Sequence, residues 1–162
     1  DIYKSKTKGT IAGEAATFFL LANEPSATDY AKLDGLHTFY KPDGTDEIEK
    51  QINSFLEKQH ISIDDIDLII TGKNGDSGED EVYELLSKTI FAGKENINYK
   101  YLCGEYPTAA AFAMWLGVTI VKSGRVPETV GFTDSPEKKI KKVLVYNHYQ
   151  GVHHSLTLLS AC

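Results

Sequence analysis

Residues 66–78 read IDLIITGKNGDSG, and this stretch decides the fold class. Ile66 to Thr71 is a short, largely apolar run of strand length, the pattern of a strand buried on both faces. Gly72 to Gly78 follows as a loop with three glycines. A helix is then predicted from about Glu79 to Phe91, with Val82, Leu85, Leu86 and Ile90 inward. A buried-type strand, a glycine loop and a helix in that order form the repeating unit of an α/β fold.

The same alternation extends in both directions. Toward the C-terminus, Ile97 to Cys103 (INYKYLC) reads as another strand. Pro107 suits the first residue of a helix through Lys122, and Gly124 ends it. Lys142 to Asn147 and Ser155 to Ala161 read as two final, adjacent strands. Toward the N-terminus, Thr45 or Asp46 can cap a helix to about Gln59, whose Ile48, Ile52, Phe55 and Leu56 share one face. Pro42-Asp43-Gly44 is a turn, and Ala31 to Tyr40 is a plausible strand before it. Ala15 to Ala22 (AATFFLLA) is a further continuous apolar run of strand length, closed by Pro25. The expectation is α/β with a mixed sheet and helices on both faces.

Composition narrows the function classes. The 162 residues carry 23 acidic and 17 basic side chains, a net charge of −6. That balance argues against a nucleic-acid partner, which is normally met by a basic face. The longest apolar stretch, Ala109 to Val121, is too short for a membrane span of about 20 residues. Two cysteines do not make a disulfide framework. No secretory signal opens the chain, so a cytoplasmic location is expected. The chain begins at Asp1, and its one methionine is Met114.

In open α/β sheets ligands lie beyond the carboxyl ends of strands. Three segments qualify: Gly72 to Gly78, Gly104 to Pro107, and His148 to His154. The first is neither a P-loop nor a dinucleotide fingerprint, because Lys73 and the glycine spacing are wrong for both. It reads as a tight turn with left-handed positions, with anion binding at the next helix as the alternative. His148, His153 and His154 raise zinc binding, but adjacent strand residues point to opposite faces, so no metal is expected. Cys103 reads as small buried packing rather than a nucleophile, since no histidine is near in sequence. Cys162 is terminal. Glu79-Asp80-Glu81 and Asp64-Asp65-Asp67 read as helix caps or solvated carboxylates. Lys138 to Lys142 reads as a solvated edge.

Several segments, in order, resemble the C-terminal half of a β-ketoacyl-acyl-carrier-protein synthase of the thiolase-like superfamily. Gly9 to Ala16 (GTIAGEAA) is similar to the Gly-Phe-x-x-Gly-Glu-Gly-Ala segment that opens that half, through Gly13 and Glu14. Asp67 to Gly72 occupies the strand that ends in the family's first catalytic histidine, and Asp80 falls on its loop aspartate. Lys100 to Glu105 resembles the Lys-x-x-x-Gly-His stretch, through Lys100 and Gly104. The Ala109-Ala110-Ala111 helix start, Arg125 to Thr129, and Asn147 to His154 match the later segments, the last with only Gly151 kept from a Phe-Gly-Phe-Gly-Gly gate. The resemblance implies a thiolase-like half over residues 1–162, with about five strands in a mixed sheet. It also implies that the N-terminal half, which carries the nucleophilic cysteine, lies outside this chain.

Where the family has its two histidines, this chain has Gly72 and Glu105. Glycine offers no donor, and an ionised glutamate is acceptor-only. Losing one oxyanion-type donor costs about 3 kcal/mol, so the ordinary condensation is not expected, and this chain alone is expected to be inactive. The resemblance therefore implies a non-condensing, chain-length-factor-like homologue of fatty-acid or polyketide-type biosynthesis. Implied partners are the N-terminal half, a synthase in a homo- or heterodimer, and acyl carrier protein, with no cofactor. Two alternatives stand beside it. One is an active acyltransferase using His148, His153 or Glu105 as base. The other is a stand-alone binding or interaction domain.

Overall fold

The computed structural model describes residues 7–130 and 139–162. Asp1 and Lys138 lie outside the described residues. The elements follow in the order β1 (Lys32–Tyr40), α1 (Gly44–Lys58), β2 (Leu68–Thr71), α2 (Glu81–Leu86), β3 (Asn96–Asn98), α3 (Lys100–Cys103), α4 (Ala109–Ser123), β4 (Lys142–Tyr149) and β5 (His153–Ser160). One five-stranded sheet has the order β1-β5-β4-β2-β3. The β3, β2 and β4 strands are parallel, and β5 runs antiparallel to both β4 and β1.

Every residue of β2 is buried, because both faces of the sheet are covered. On one face Leu68, Ile70, Val143, Val145 and Leu159 pack under α4 through Ala113, Leu116 and Ile120. On the other, Ile69, Leu144, Leu156 and Leu158 pack under α1 through Ile48, Ile52, Phe55 and Leu56, and under α2 through Tyr83 and Leu86. The expected mixed sheet with helices on both faces is thus observed, with the final strand pair adjacent and antiparallel. Gly124 closes α4 in the left-handed conformation, its N–H on the Ile120 carbonyl.

Four expectations are corrected. Ala15 to Ala22 forms no strand; a strand needs a neighbouring backbone to pair with, and among the described residues this run has none. Phe18 is 91% exposed and Leu20 fully exposed. The predicted Glu79 to Phe91 helix is regular only over Glu81–Leu86, and the chain then continues in turns to Gly93. Leu86 is inward as expected, with Val82 and Ile90 against the same core, but Leu85 is exposed and Tyr83 is buried instead, its ring packed on Tyr146 and His148. The predicted Ile97 to Cys103 strand ends at Asn98, opposite Thr71, where β2 ends and ladder pairing stops. Tyr99 then turns the chain into α3, so Lys100 lies on a helical turn. Finally, His148 to His154 is not a loop: His148 belongs to β4, and His153 and His154 to β5. Gln150, Gly151 and Val152 make the hairpin connection between the paired Tyr149 and His153, with positive φ at Gln150 and Gly151 and the Val152 N–H on the Tyr149 carbonyl.

Candidate functional site

The carboxyl ends of β2, β3 and β4 point the same way, and the segments that leave them meet. Glu105 is the hub. Its Oε2 accepts from Lys100 Nζ at 2.6 Å and from Asn74 Nδ2 at 2.9 Å. Lys100 is only 2% exposed, so the ion pair is withdrawn from water. The helical turn α3 brings Lys100 under Glu105, and the Gly104 N–H closes that turn on the Lys100 carbonyl.

The N-terminal segment fixes Glu105 from the other side. The Glu105 N–H donates to the Ile11 carbonyl, and the Gly13 N–H donates to the Glu105 carbonyl. A Cβ on Gly13 would stand 1.9 Å from the Cys103 carbonyl oxygen, and one on Gly104, at φ +74°, would meet Gly13. The two glycines are therefore required by this close crossing. Glu14, by contrast, is exposed.

The glycine loop is held by its own carboxylates. Asp80 accepts from the Asn74 and Gly75 N–H groups. Asp76 accepts from the Gly78 and Glu79 N–H groups and from Gly9. Burial raises the Asp80 carboxyl above its ordinary range, partly offset by the two amides it accepts from. Donors that could greet an external anion are thus already engaged by these carboxylates. Gly75 alone of the loop glycines has positive φ. Asp80, read as a helix cap, holds the loop instead.

Gly72 is more than a missing side chain. A Cβ there would stand 2.1 Å from Asn147 Oδ1 and 2.7 Å from the Tyr83 hydroxyl. The space beside β2 is already filled by β4 and α2. Asn147 Oδ1 accepts from the Tyr99 hydroxyl at 2.9 Å. The Tyr83 hydroxyl accepts from the His148 N–H. Burial pushes both phenols well above their usual range, so they remain neutral.

His148 and His154 are cross-strand partners, their ring centroids 5.5 Å apart. His148 Nε2 bonds the Glu79 carbonyl at 2.9 Å, so it carries the proton, and Nδ1 accepts from the Gly151 N–H at 3.1 Å. Burial, with His154 adding to it, depresses His148 to about 4. His154 is buried on the same face, against Phe39 and Tyr146, while His153 is exposed on the opposite one. Cys103 is half-buried and its thiol is pushed up by burial, as expected for packing. Cys162 is exposed.

Lys100, Glu105, Gly72, Asp80, Gly104 and Gly13 are thus brought to one place, with Gly151 in the neighbouring hairpin. Sequence reasoning missed Asn74, Tyr83 and Tyr99, which carry the polar connections between them. Nothing in their spacing announces this, since each is an ordinary residue of a loop or short element.

By sequence, no protein-family model matches this chain, and no curated protein is significantly similar. Solved structures do match. A ketosynthase from Xenorhabdus doucetiae in complex with its chain length factor superposes over 86% of this chain and 40% of its own, with TM-score 0.71 and 19% identity. A β-ketoacyl synthase from Burkholderia phymatum matches over 84% and 38%, with TM-score 0.65 and 14% identity. The fold is thiolase-like. A type II polyketide synthase acyl-carrier protein in complex with its hexaketide-bound ketosynthase matches over 82% and 39%, with TM-score 0.63 and 16% identity. The chain therefore spans about two fifths of the length of the thiolase-like structures it matches. Among the described residues no helix is long and apolar enough to cross a membrane.

Proposed function

We propose that this chain is the acyl-facing C-terminal half of a β-ketoacyl-synthase homologue that does not condense, and that acts as a chain-length-factor-like partner of an active synthase. One observation carries the reading. Of the two positions where the resemblance expects hydrogen-bond donors, one is a glycine whose side-chain space is filled by Asn147 and Tyr83. The other is a carboxylate tied to a buried lysine. An acceptor-only group facing a developing enolate or oxyanion repels the charge that the condensation must stabilise. Lys100 cannot compensate, because its charge already serves Glu105 and its ammonium is buried.

A partner role agrees with the solved neighbours, one of which is a ketosynthase bound to its chain length factor and another a ketosynthase bound to an acyl-carrier protein. In this reading the N-terminal half of the same protein covers the exposed segment around Phe18 and Leu20. The acyl chain travels on acyl carrier protein, in fatty-acid or polyketide-type synthesis in the cytoplasm. No metal or cofactor enters. The test is reconstitution. The intact protein is combined with a condensing synthase and acyl carrier protein, and product lengths are read by mass spectrometry. Stable heterodimer formation with a shift in chain length is expected. A synthase that neither binds the protein nor changes its products with it present contradicts the proposal.

A further inference from the structure

Asn147 follows Tyr146, the last β4 residue paired with β2, and it fills the space that Gly72 leaves open. Its Oδ1 is fixed by the Tyr99 hydroxyl. Its Nδ2 has no hydrogen-bond partner among the described residues, and it is not one of the water-excluded orphans, so its two donors are open to a ligand. Asn147 also lines a cleft of about 460 Å³ between the ends of β1, β4 and β5 and the start of α4, with Phe39, Tyr40, Ala110, Tyr149 and Ser155. Thr38, His153 and His154 also line it, and a concave site that mixes aromatic walls with a pinned amide donor suits a small molecule.

We infer that Asn147 Nδ2 is the group that holds the acyl carbonyl oxygen in this chain. It rests on the acyl-binding reading above and adds the residue that reads the ligand. The amide orientation follows from Tyr99, which leaves Nδ2 as the free end. The Tyr99 phenol is itself held neutral by burial and stays a donor to Oδ1. An amide donates without carrying a labile proton. It can position a thioester or ketone oxygen, but it cannot protonate an enolate. Holding the acyl group without transforming it is what a non-condensing partner requires. The class of ligand is a carbonyl-bearing acyl chain, distinguished from a plain hydrocarbon by the hydrogen bond to its oxygen.

The probe is acetoacetyl-N-acetylcysteamine with CH2 in place of the thioester sulfur, which cannot pass its acyl group to Cys103 or Cys162. A second probe lacks the carbonyl oxygens. Binding to the 162-residue chain is followed by titration calorimetry and by the side-chain amide NMR signal of Asn147. The carbonyl probe is expected to bind about tenfold more tightly than its reduced counterpart, one good hydrogen bond's worth, and to shift the Asn147 amide signal. Asn147→Asp keeps the shape and the acceptor for Tyr99 but removes the donors, and should abolish that preference. Asn147→Ala should do the same and serves if the aspartate variant does not fold. If both variants keep the preference for the carbonyl probe, this inference fails while the acyl-binding reading stands. If the unaltered chain binds neither probe, both fail.

Discussion

Lys100 is buried and its charge is met by Glu105, which also accepts from Asn74. Removing one partner of a buried pair leaves the other uncompensated and costs about 3–5 kcal/mol. Glu105→Ala is therefore expected to destabilise the chain by about 3 kcal/mol. Glu105→Ala combined with Lys100→Met should recover most of that loss, because no orphan charge remains. Urea unfolding of the single and double variants measures the difference. Equal instability of both would show that the pair is not what holds this corner together. The sequence made Lys100 and Glu105 legible as family positions, but not their partnership. A lysine in an apolar-flanked segment gives no sign of burial, and the α3 turn that places it under Glu105 comes from the end of the β2–β3 ladder.

At the scale of elements, the β4–β5 hairpin carries two buried histidines. His148 is depressed to about 4, first by desolvation and then by His154, and His154 is lowered chiefly by burial. The sign follows from proton counts. Above pH 6.5 neither the folded nor the unfolded chain protonates them. Between the unfolded value and about 4 the unfolded chain binds the proton and the folded chain does not. Stability is therefore present near neutrality and is lost as pH falls through that window, by about 3 kcal/mol for His148. Thermal melts from pH 7 to pH 4 should show this slope, and His148→Gln should make it shallower, leaving the part that His154 contributes. A parallel slope in the variant would place the acid sensitivity elsewhere. The hairpin also marks what periodicity could reach. The final strand pair was legible from its apolar residues. The extension of β4 to His148 and Tyr149 was not, because histidine and tyrosine on a half-buried strand look the same as loop residues. Ala15 to Ala22 fails for the opposite reason. Its composition reads as a buried strand, but a strand is a property of two backbones, and among the described residues none pairs with it.

At the scale of the molecule, the sheet and both helical layers are built from residues after the first thirty, and the earlier segment joins the site through the Ala12–Glu105 bridge and through hydrogen bonds of Thr7, Gly9 and Thr10 with Ser77, Asp76 and Asn74. The fold class and the α4 and α1 faces were legible because they depend on local periodicity and on the alternation of strands and helices. What assembles at the carboxyl ends of β2, β3 and β4 depends on residues far apart in the chain, such as Asn74 with Glu105 and Tyr99 with Asn147. In the proposed function this site lacks the donors that condensation needs. The most direct measurement is decarboxylation and condensation of malonyl units on acyl carrier protein by the intact, unmodified protein, without a synthase partner. Neither released carbon dioxide nor an extended acyl chain above the enzyme-free rate is expected. Robust turnover of either kind by the protein alone would contradict the proposed function.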